Sequence, residues 1–236
     1  GVLKDWGEEV TIVDPDGVFR ANDFYGGNFQ GIIDKLLYLK KLGVTILYLS
    51  PIFKSSSNHR YDTGDYEFVD ELLGDESKFQ ELLQKSESIG IRVMLDGVFN
   101  HTGADSKYFN KFGNYPTIGA YQSKQSPYYD WFDFYNFPDE YHCWWGITVT
   151  PTISQRAKLF RDMISGEGGI IDKWTRLGVK GWRLDVVDEL REDFVEDIRE
   201  AVKRNGDDNL LIGEVWEDAS NKIAYSYRRH YFQGKQ

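Results

Sequence analysis

Cysteine is almost missing from this chain. Cys143 is the only one in 236 residues, so no intramolecular disulfide can form, and the stapled framework of a small secreted domain is excluded. That count allows a reducing compartment, and a cytoplasmic location is the expectation, although a chain starting at Gly1 rather than Met says little about address. Histidine is scarce too: four are present, none in the paired His or Cys spacing of a zinc site, so no catalytic zinc is indicated. No stretch approaches eighteen consecutive apolar residues, and Gly1-Val2-Leu3-Lys4-Asp5-Trp6 lacks the charged and apolar regions of a signal peptide. Neither a membrane span nor a membrane partner is therefore expected. Positive charge is in deficit. The formal net charge of −10 would repel phosphate backbones, which argues against a nucleic-acid partner and leaves a neutral substrate easily tolerated. The glycine-rich first turn that an open doubly wound sheet uses to hold a nucleotide is missing from the right place. Gly166-Glu167-Gly168-Gly169 lacks the third glycine and follows a helix pattern, so it reads as a flexible joint.

What is present is the composition of a globular protein: 41% hydrophobic and 28% charged exclude a disordered or fibrous chain. Aromatic side chains reach 16%, with 7 Trp and 15 Tyr. They suit stacking on the apolar faces of pyranose rings, although the same residues more often fill cores.

Apolar residues at helical spacing run from Phe29 to Leu42, with Gly43 as a stop signal. Val44 to Phe53 then reads as a buried strand. The order repeats with a helix over Asp75 to Ser88, Gly90 as its terminator and a strand at Ile91 to Phe99. A helix over Ser154 to Leu177 ends at Gly178 and leads into a strand at Val179 to Val187. The last unit has a helix over Arg191 to Lys203, a turn at Asn205-Gly206-Asp207-Asp208 and a strand at Leu210 to Trp216. Residues 1–28 read as a long loop with turn signals, and Tyr225 to Tyr231 as a helix-like or loop segment.

Continuously apolar strands alternating with amphipathic helices predict an α/β fold, a parallel sheet covered by helices. Four strands are half of what a closed barrel needs, so the expectation is a partial TIM (β/α)8 barrel. Between His101 and Ser154 lies a stretch too long for an ordinary connection and too aromatic for disorder, read as a subdomain inserted after one strand. The predicted organisation is residues 1–101 as the first part of the barrel, 102–153 as the inserted subdomain, and 154–236 as the continuation, truncated before closure.

Two carboxylates end consecutive strands: Asp185 in Gly181-Trp182-Arg183-Leu184-Asp185, and Glu214 in Leu210-Leu211-Ile212-Gly213-Glu214-Val215-Trp216. Parallel βα architectures gather their chemistry at the carboxyl ends of strands. Glycosidic hydrolysis needs such a pair, one carboxyl protonated and one ionised, facing each other across a sugar. Arg183 lies two residues before Asp185, on the same strand face, where its cation is expected to keep that carboxylate ionised. Glu214 is expected in a drier setting with its pKa raised.

Asp96-Gly97-Val98-Phe99-Asn100-His101 joins these two as a third block in fixed order. With all three the chain resembles the α-amylase family of retaining α-glucosidases, and within it is most similar to neopullulanases and maltogenic amylases (cyclomaltodextrinases). The resemblance spans nearly the whole chain. It implies a glycoside hydrolase of α-1,4 bonds, with α-1,6 bonds as a further option, in maltodextrins, cyclodextrins, pullulan or starch. An α-glucan would be its partner, no cofactor would be needed, and a full-length parent would be open to homodimerisation. By the resemblance Asp185 is the nucleophile and Glu214 the general acid and base, in a double displacement that keeps the anomeric configuration. His101 would bind a sugar hydroxyl, and Asp96 would support the site by hydrogen bonding.

The segment from Ser50 to Tyr66 resembles the family's substrate loop, in which Tyr61 would stack on the sugar and Asp62 would hold the loop. Tyr141-His142-Cys143-Trp144-Trp145-Gly146 resembles the tryptophan segment bordering the acceptor subsites. Trp144 and Trp145 therefore join Arg183 and Trp216 as substrate-binding candidates. Asn100 corresponds to a calcium ligand in many α-amylases, but neopullulanase-like members often lack that ion, so no metal is expected. A buried Asn100 would also be a poor glycosylation acceptor despite the Asn100-His101-Thr102 sequon. One departure is Ser154, which stands where relatives carry asparagine and leaves subsite preference open. The family's third carboxylate, an aspartate preceded by histidine, is expected beyond residue 236. A transglycosylase of the same family is the nearest alternative. A non-catalytic amylase-like interaction subunit is another, against which stand Asp185, Glu214 and Arg183.

Overall fold

A computed structural model describes residues 3–13, 15–17, 23–219, 222–224 and 227–228. The opening segment is not all loop: β1 (Leu3–Lys4) pairs in parallel with β2 (Phe24–Tyr25). Helix α1 (Phe29–Lys41) begins where the Asn28 side chain accepts the Gly31 N–H at 2.9 Å, and it buries Phe29, Ile33 and Leu36 on one stripe.

Strand β3 (Ile46–Leu49) follows. The strand expected to run from Val44 to Phe53 stops at Leu49, because Pro51 has no N–H to give to a ladder. Phe53 instead opens an antiparallel hairpin of β4 (Phe53–Ser55) and β5 (Thr63–Val69), so much of the predicted substrate loop is strand. Nor is β3 buried: Ile46 is 37% and Tyr48 45% exposed, since β3 is an edge strand among the described residues.

Helix α2 (Glu76–Ser88), capped by Asp75 on the Lys78 N–H, leads into β6 (Arg92–Gly97). Residues 102–153 then form a short hairpin of β7 (Phe134–Asn136) and β8 (Glu140–Tyr141) around Phe109, whose ring lies 4.9 Å from Phe132 and 4.7 Å from Tyr141. The two ends of this segment are tied together, with the Thr102 N–H donating to the Pro151 carbonyl at 3.1 Å and the Ile153 N–H to the Asn100 carbonyl at 2.9 Å.

The single helix expected over Ser154 to Leu177 is two, α3 (Lys158–Ser165) and α4 (Ile170–Leu177). The break falls at Gly166–Gly169, where Gly168 takes φ +77°. The joint is pinned rather than flexible. Asp172, fully buried, accepts the Gly168 N–H at 2.8 Å and pairs with Arg204 at 2.9 Å.

Strand β9 (Gly181–Leu184), helix α5 (Glu192–Arg204) and strand β10 (Leu210–Gly213) complete the main unit. Of the predicted helix-like or loop segment at Tyr225 to Tyr231, only Tyr227 and Arg228 are described. They form β12 (Tyr227–Arg228), antiparallel to β11 (Ile223–Ala224), and the rest lies outside the described residues.

The main sheet has the order β10-β9-β6-β3, every pair parallel. Trp174 of α4, Trp182 of β9, Phe53, Tyr66 and Phe99 are all but inaccessible to solvent and form the core between sheet and helices. Each such ring contributes roughly 1.5–3 kcal/mol on burial. The Trp174 indole donates to the Tyr66 carbonyl at 3.0 Å, so burying that N–H leaves no unpaired donor there. Among the described residues no helix is long and apolar enough to cross a membrane.

Candidate active site

Strand register does the positioning. Asp96 on β6 is paired with Arg183 on β9, and Arg183 with Ile212 on β10. Strands β9 and β10 end level, at Leu184 and Gly213, and the next residues are Asp185 and Glu214. Two backbone bonds fix these ends: Asp185 N–H to the Gly97 carbonyl at 3.2 Å, and Glu214 N–H to the Leu184 carbonyl at 2.9 Å. Both carboxylates therefore leave the C-terminal edge of the sheet on neighbouring strands.

Arg183 gathers them. Its Nη1 is 2.9 Å from each oxygen of Asp96 and 3.0 Å from Asp185 Oδ1, while Nη2 is 2.7 Å from Glu214 Oε1. Asp96 Oδ2 also accepts the hydroxyls of Tyr48 and, at 3.1 Å, Tyr61. The second oxygen of Glu214 accepts the Val186 N–H at 3.0 Å.

One guanidinium faces three carboxylates, and the charge count decides where protons sit. Burial first, and then the charge of Asp96, push Asp185 up to about 7 against the pull of Arg183. Asp96 is raised by its burial, which outweighs its hydrogen bonds from Tyr48 and Arg183. Glu214 moves the other way. Its partial burial opposes charge, but the Val186 N–H, the Trp216 side chain and Arg183 together hold it below the ordinary glutamate value. Arg183 does pull Asp185 towards its ionised form, as expected, but both net shifts run opposite to the expected ones, because Arg183 is divided among three acids and Asp185 is the drier of the pair.

Tyr61, Asp62, His101, Arg183, Asp185, Glu214 and Trp216 line one cleft of about 820 Å³. Asp96 lies beneath it, 1% exposed. Asp62 accepts the hydroxyls of Ser55, Ser56 and Ser57, which ties three consecutive loop residues to one carboxylate. His101 is buried, stacks on Trp144 at 5.4 Å, and is held down to about 4 by that burial, so its imidazole is neutral near pH 7. Both its nitrogens have partners: Nε2 faces the Tyr61 carbonyl at 3.1 Å, and Nδ1 the Asn100 side-chain nitrogen at 3.2 Å.

Trp145 is not brought into the lining. It stands at the rim, 69% exposed, edge-on to Trp216 at 5.3 Å. Asn100 lies behind the wall, 3% exposed. No group of three His, Cys, Asp or Glu among the described residues converges to hold a metal, and the Asn100 side chain is turned to His101. Sequence reading missed Tyr48 and Val186. Tyr48 sits in a run that reads as buried apolar strand, and Val186 gives no signal because its part is played by its backbone.

A parallel βα sheet with its charged groups gathered at the strand ends is the site class of a TIM-type barrel. Residues 11–156 match the alpha-amylase catalytic domain, and the chain belongs to the alpha-amylase family. It is similar to the amylopullulanase of Thermoanaerobacterium saccharolyticum, 42% identical over 87% of this chain and 17% of that one. It is also similar to the cyclomaltodextrinase of Thermoanaerobacter pseudethanolicus, 39% identical over 92% of this chain and 36% of that one. The solved type III pullulan hydrolase of Thermococcus kodakarensis superposes with a TM-score of 0.80 at 32% identity, covering 96% of this chain and 38% of that one. The four parallel strands are thus part of a TIM-type barrel, and the chain spans less than two-fifths of the length of each of these relatives.

Proposed function

We propose that the complete protein is a retaining glycoside hydrolase of α-1,4 glucosidic bonds, with α-1,6 bonds as a second target, in maltodextrins, cyclodextrins, pullulan or starch. The observation that carries this reading is the single guanidinium of Arg183 joined to both Asp185 and Glu214 in one cleft. The names of the relatives, an amylopullulanase, a cyclomaltodextrinase and a pullulan hydrolase, supply the substrate class.

Asp185 is the nucleophile and Glu214 the acid and base. A neutral sugar entering the cleft separates Glu214 from Arg183 and dries it, and the proton passes from Asp185 to Glu214. Arg183, relieved of one acid, then holds Asp185 charged. The Asp185 carboxylate bonds to the anomeric carbon as the glycosidic bond breaks, and Glu214 gives its proton to the leaving oxygen. Water, deprotonated by Glu214, next displaces Asp185 from the same carbon, so the configuration is kept. Tyr61 and Trp216 stack on sugar faces, with Trp145 at the rim. His101 and Asp62 hold the wall that carries Tyr61, and Asp96 and Asn100 support from behind. An acceptor sugar in place of water gives transglycosylation, and Trp144 and Trp216, set edge to face at 6.4 Å, offer it an aromatic wall.

In the same reading residues 102–153 are a subdomain inserted between barrel parts 1–101 and 154–236, and the protein works in the cytoplasm, open to homodimerisation. The test is covalent trapping. A fluorinated glucosyl fluoride, slow to be released, should leave a glycosyl adduct on the peptide containing Asp185. An adduct on another residue, or none while the reagent is consumed, overturns the assignment.

A further inference from the structure

We propose that Tyr48 is a positioning residue for the carboxylate pair, acting through Asp96 and Arg183. The inference rests on the reading of Asp185 and Glu214 given above.

Asp96 holds Arg183 through one nitrogen only, Nη1, with both its oxygens at 2.9 Å. A carboxylate straddling one N–H₂ group can swing about that contact, unlike a fork that engages two nitrogens in parallel. Something else must fix its plane, and two hydroxyls on Oδ2 do so, those of Tyr48 and Tyr61. The two rings also flank the guanidinium, whose central carbon is 5.8 Å from the Tyr48 ring centre and 6.0 Å from that of Tyr61.

The two tyrosines are not equivalent. Tyr61 lines the cleft, on the segment held by Asp62 and His101, and a sugar that stacks on it loads it sideways. Tyr48 is outside the cleft lining, on strand β3, whose backbone is bonded along its whole length to β6, the strand that carries Asp96. It is therefore the donor that keeps Asp96 oriented while substrate moves Tyr61. An Asp96 held in place presents Nη1 to Asp185 and leaves Nη2 to Glu214, which sets the angle between nucleophile and acid. Burial already presses Asp96 towards its neutral form. Without the Tyr48 hydroxyl the cluster as a whole binds protons more tightly, and one proton is drawn to Asp96 at the expense of Glu214.

The experiment compares Tyr48→Phe, Tyr48→Leu and Asp185→Asn in the complete protein on a maltodextrin. Tyr48→Phe keeps the ring and its packing. It should lower kcat by about tenfold with KM within about twofold, since misorientation and not binding is what changes. The acid limb of its kcat/KM profile should move up by about half a pH unit or more. A readout that needs no turnover is the carbon-13 titration of the site carboxylates, whose midpoint should rise in the same variant. If Tyr48→Phe matches wild type in kcat, acid limb and titration while only Tyr48→Leu is impaired, the ring is merely packing and the proposal is overturned. Asp185→Asn separates the two readings: activity retained there sinks the nucleophile assignment, whereas an inactive Asp185→Asn beside an unaltered Tyr48→Phe sinks only the role of Tyr48.

Discussion

Glu214 accepts its backbone hydrogen bond from Val186, the residue directly after Asp185 in the chain, at 3.0 Å. Val186 can donate in that direction because it adopts φ 40° and ψ 55°, a left-handed conformation that a β-branched residue rarely takes. The strain couples the two strand ends, since Val187 N–H also donates to the Glu214 carbonyl at 3.1 Å.

Val186→Gly should release about 1–3 kcal/mol of strain and lose a similar amount of burial. Net stability by denaturant unfolding should stay within about 1 kcal/mol of wild type. Val93→Gly, at a buried valine of β6 in ordinary strand conformation, should cost about 3 kcal/mol or more. Turnover of Val186→Gly should nevertheless fall severalfold, because a freer N–H no longer fixes Glu214. Equal destabilisation at both positions would show that Val186 is not strained.

Glu214→Gln should lose turnover on maltodextrin by at least about a thousandfold, yet recover much of it on a substrate whose leaving group needs no proton. Asp185→Asn should be lost on both, because nothing remains to attack the anomeric carbon. Steady-state kinetics on the two substrates in the complete protein reads the difference. Equal loss of Glu214→Gln on both would remove its acid role.

The pH dependence of stability should contain two opposing contributions. His101 is lowered to about 4 from an ordinary 6.5, so the unfolded chain takes up its proton first. Its contribution is complete above pH 6.5 and is lost as pH falls towards 4, by up to about 3 kcal/mol. Asp185 is raised to about 7 from 3.8, so the folded protein holds that proton longer, and stability falls as pH rises across that window. Relative to wild type, unfolding free energies between pH 4 and 7 should slope downwards with pH in His101→Gln and upwards in Asp185→Asn. The reverse slopes would refute both directions of shift.

Gly103 lies against the loop that carries Tyr61 and Asp62. A Cβ there would sit 2.6 Å from the Asp62 carbonyl oxygen, and its own N–H donates to the Thr63 carbonyl at 2.9 Å. Gly103→Ala should cost about 1–3 kcal/mol by overpacking and raise KM more than it lowers kcat, because the displaced loop carries Tyr61 and not the acids. A wild-type KM would show that the loop can yield without moving Tyr61.

The chain alone determined the alternation of apolar strands and amphipathic helices, and with it the parallel sheet, because periods of two and 3.6 residues are written directly in residue order. It also determined that Asp185 and Glu214 end neighbouring strands, since each closes an apolar run. Breaks that depend on one residue were less visible: Pro51 divides an apolar stretch into β3 and β4, and Gly166–Gly169 divides one helix into two. What only the tertiary structure decided is the state of the site. Residue order puts Arg183 two places from Asp185 but cannot show that Asp96, 87 positions earlier, takes the same nitrogen, or that Tyr48 reaches Asp96 from an adjacent strand. Protonation follows the sum of burial and every charge within a few ångströms. That sum runs across four strands of the sheet, so residue order points to Glu214 as the proton holder, whereas burial and neighbouring charge in the fold raise Asp185 and lower Glu214.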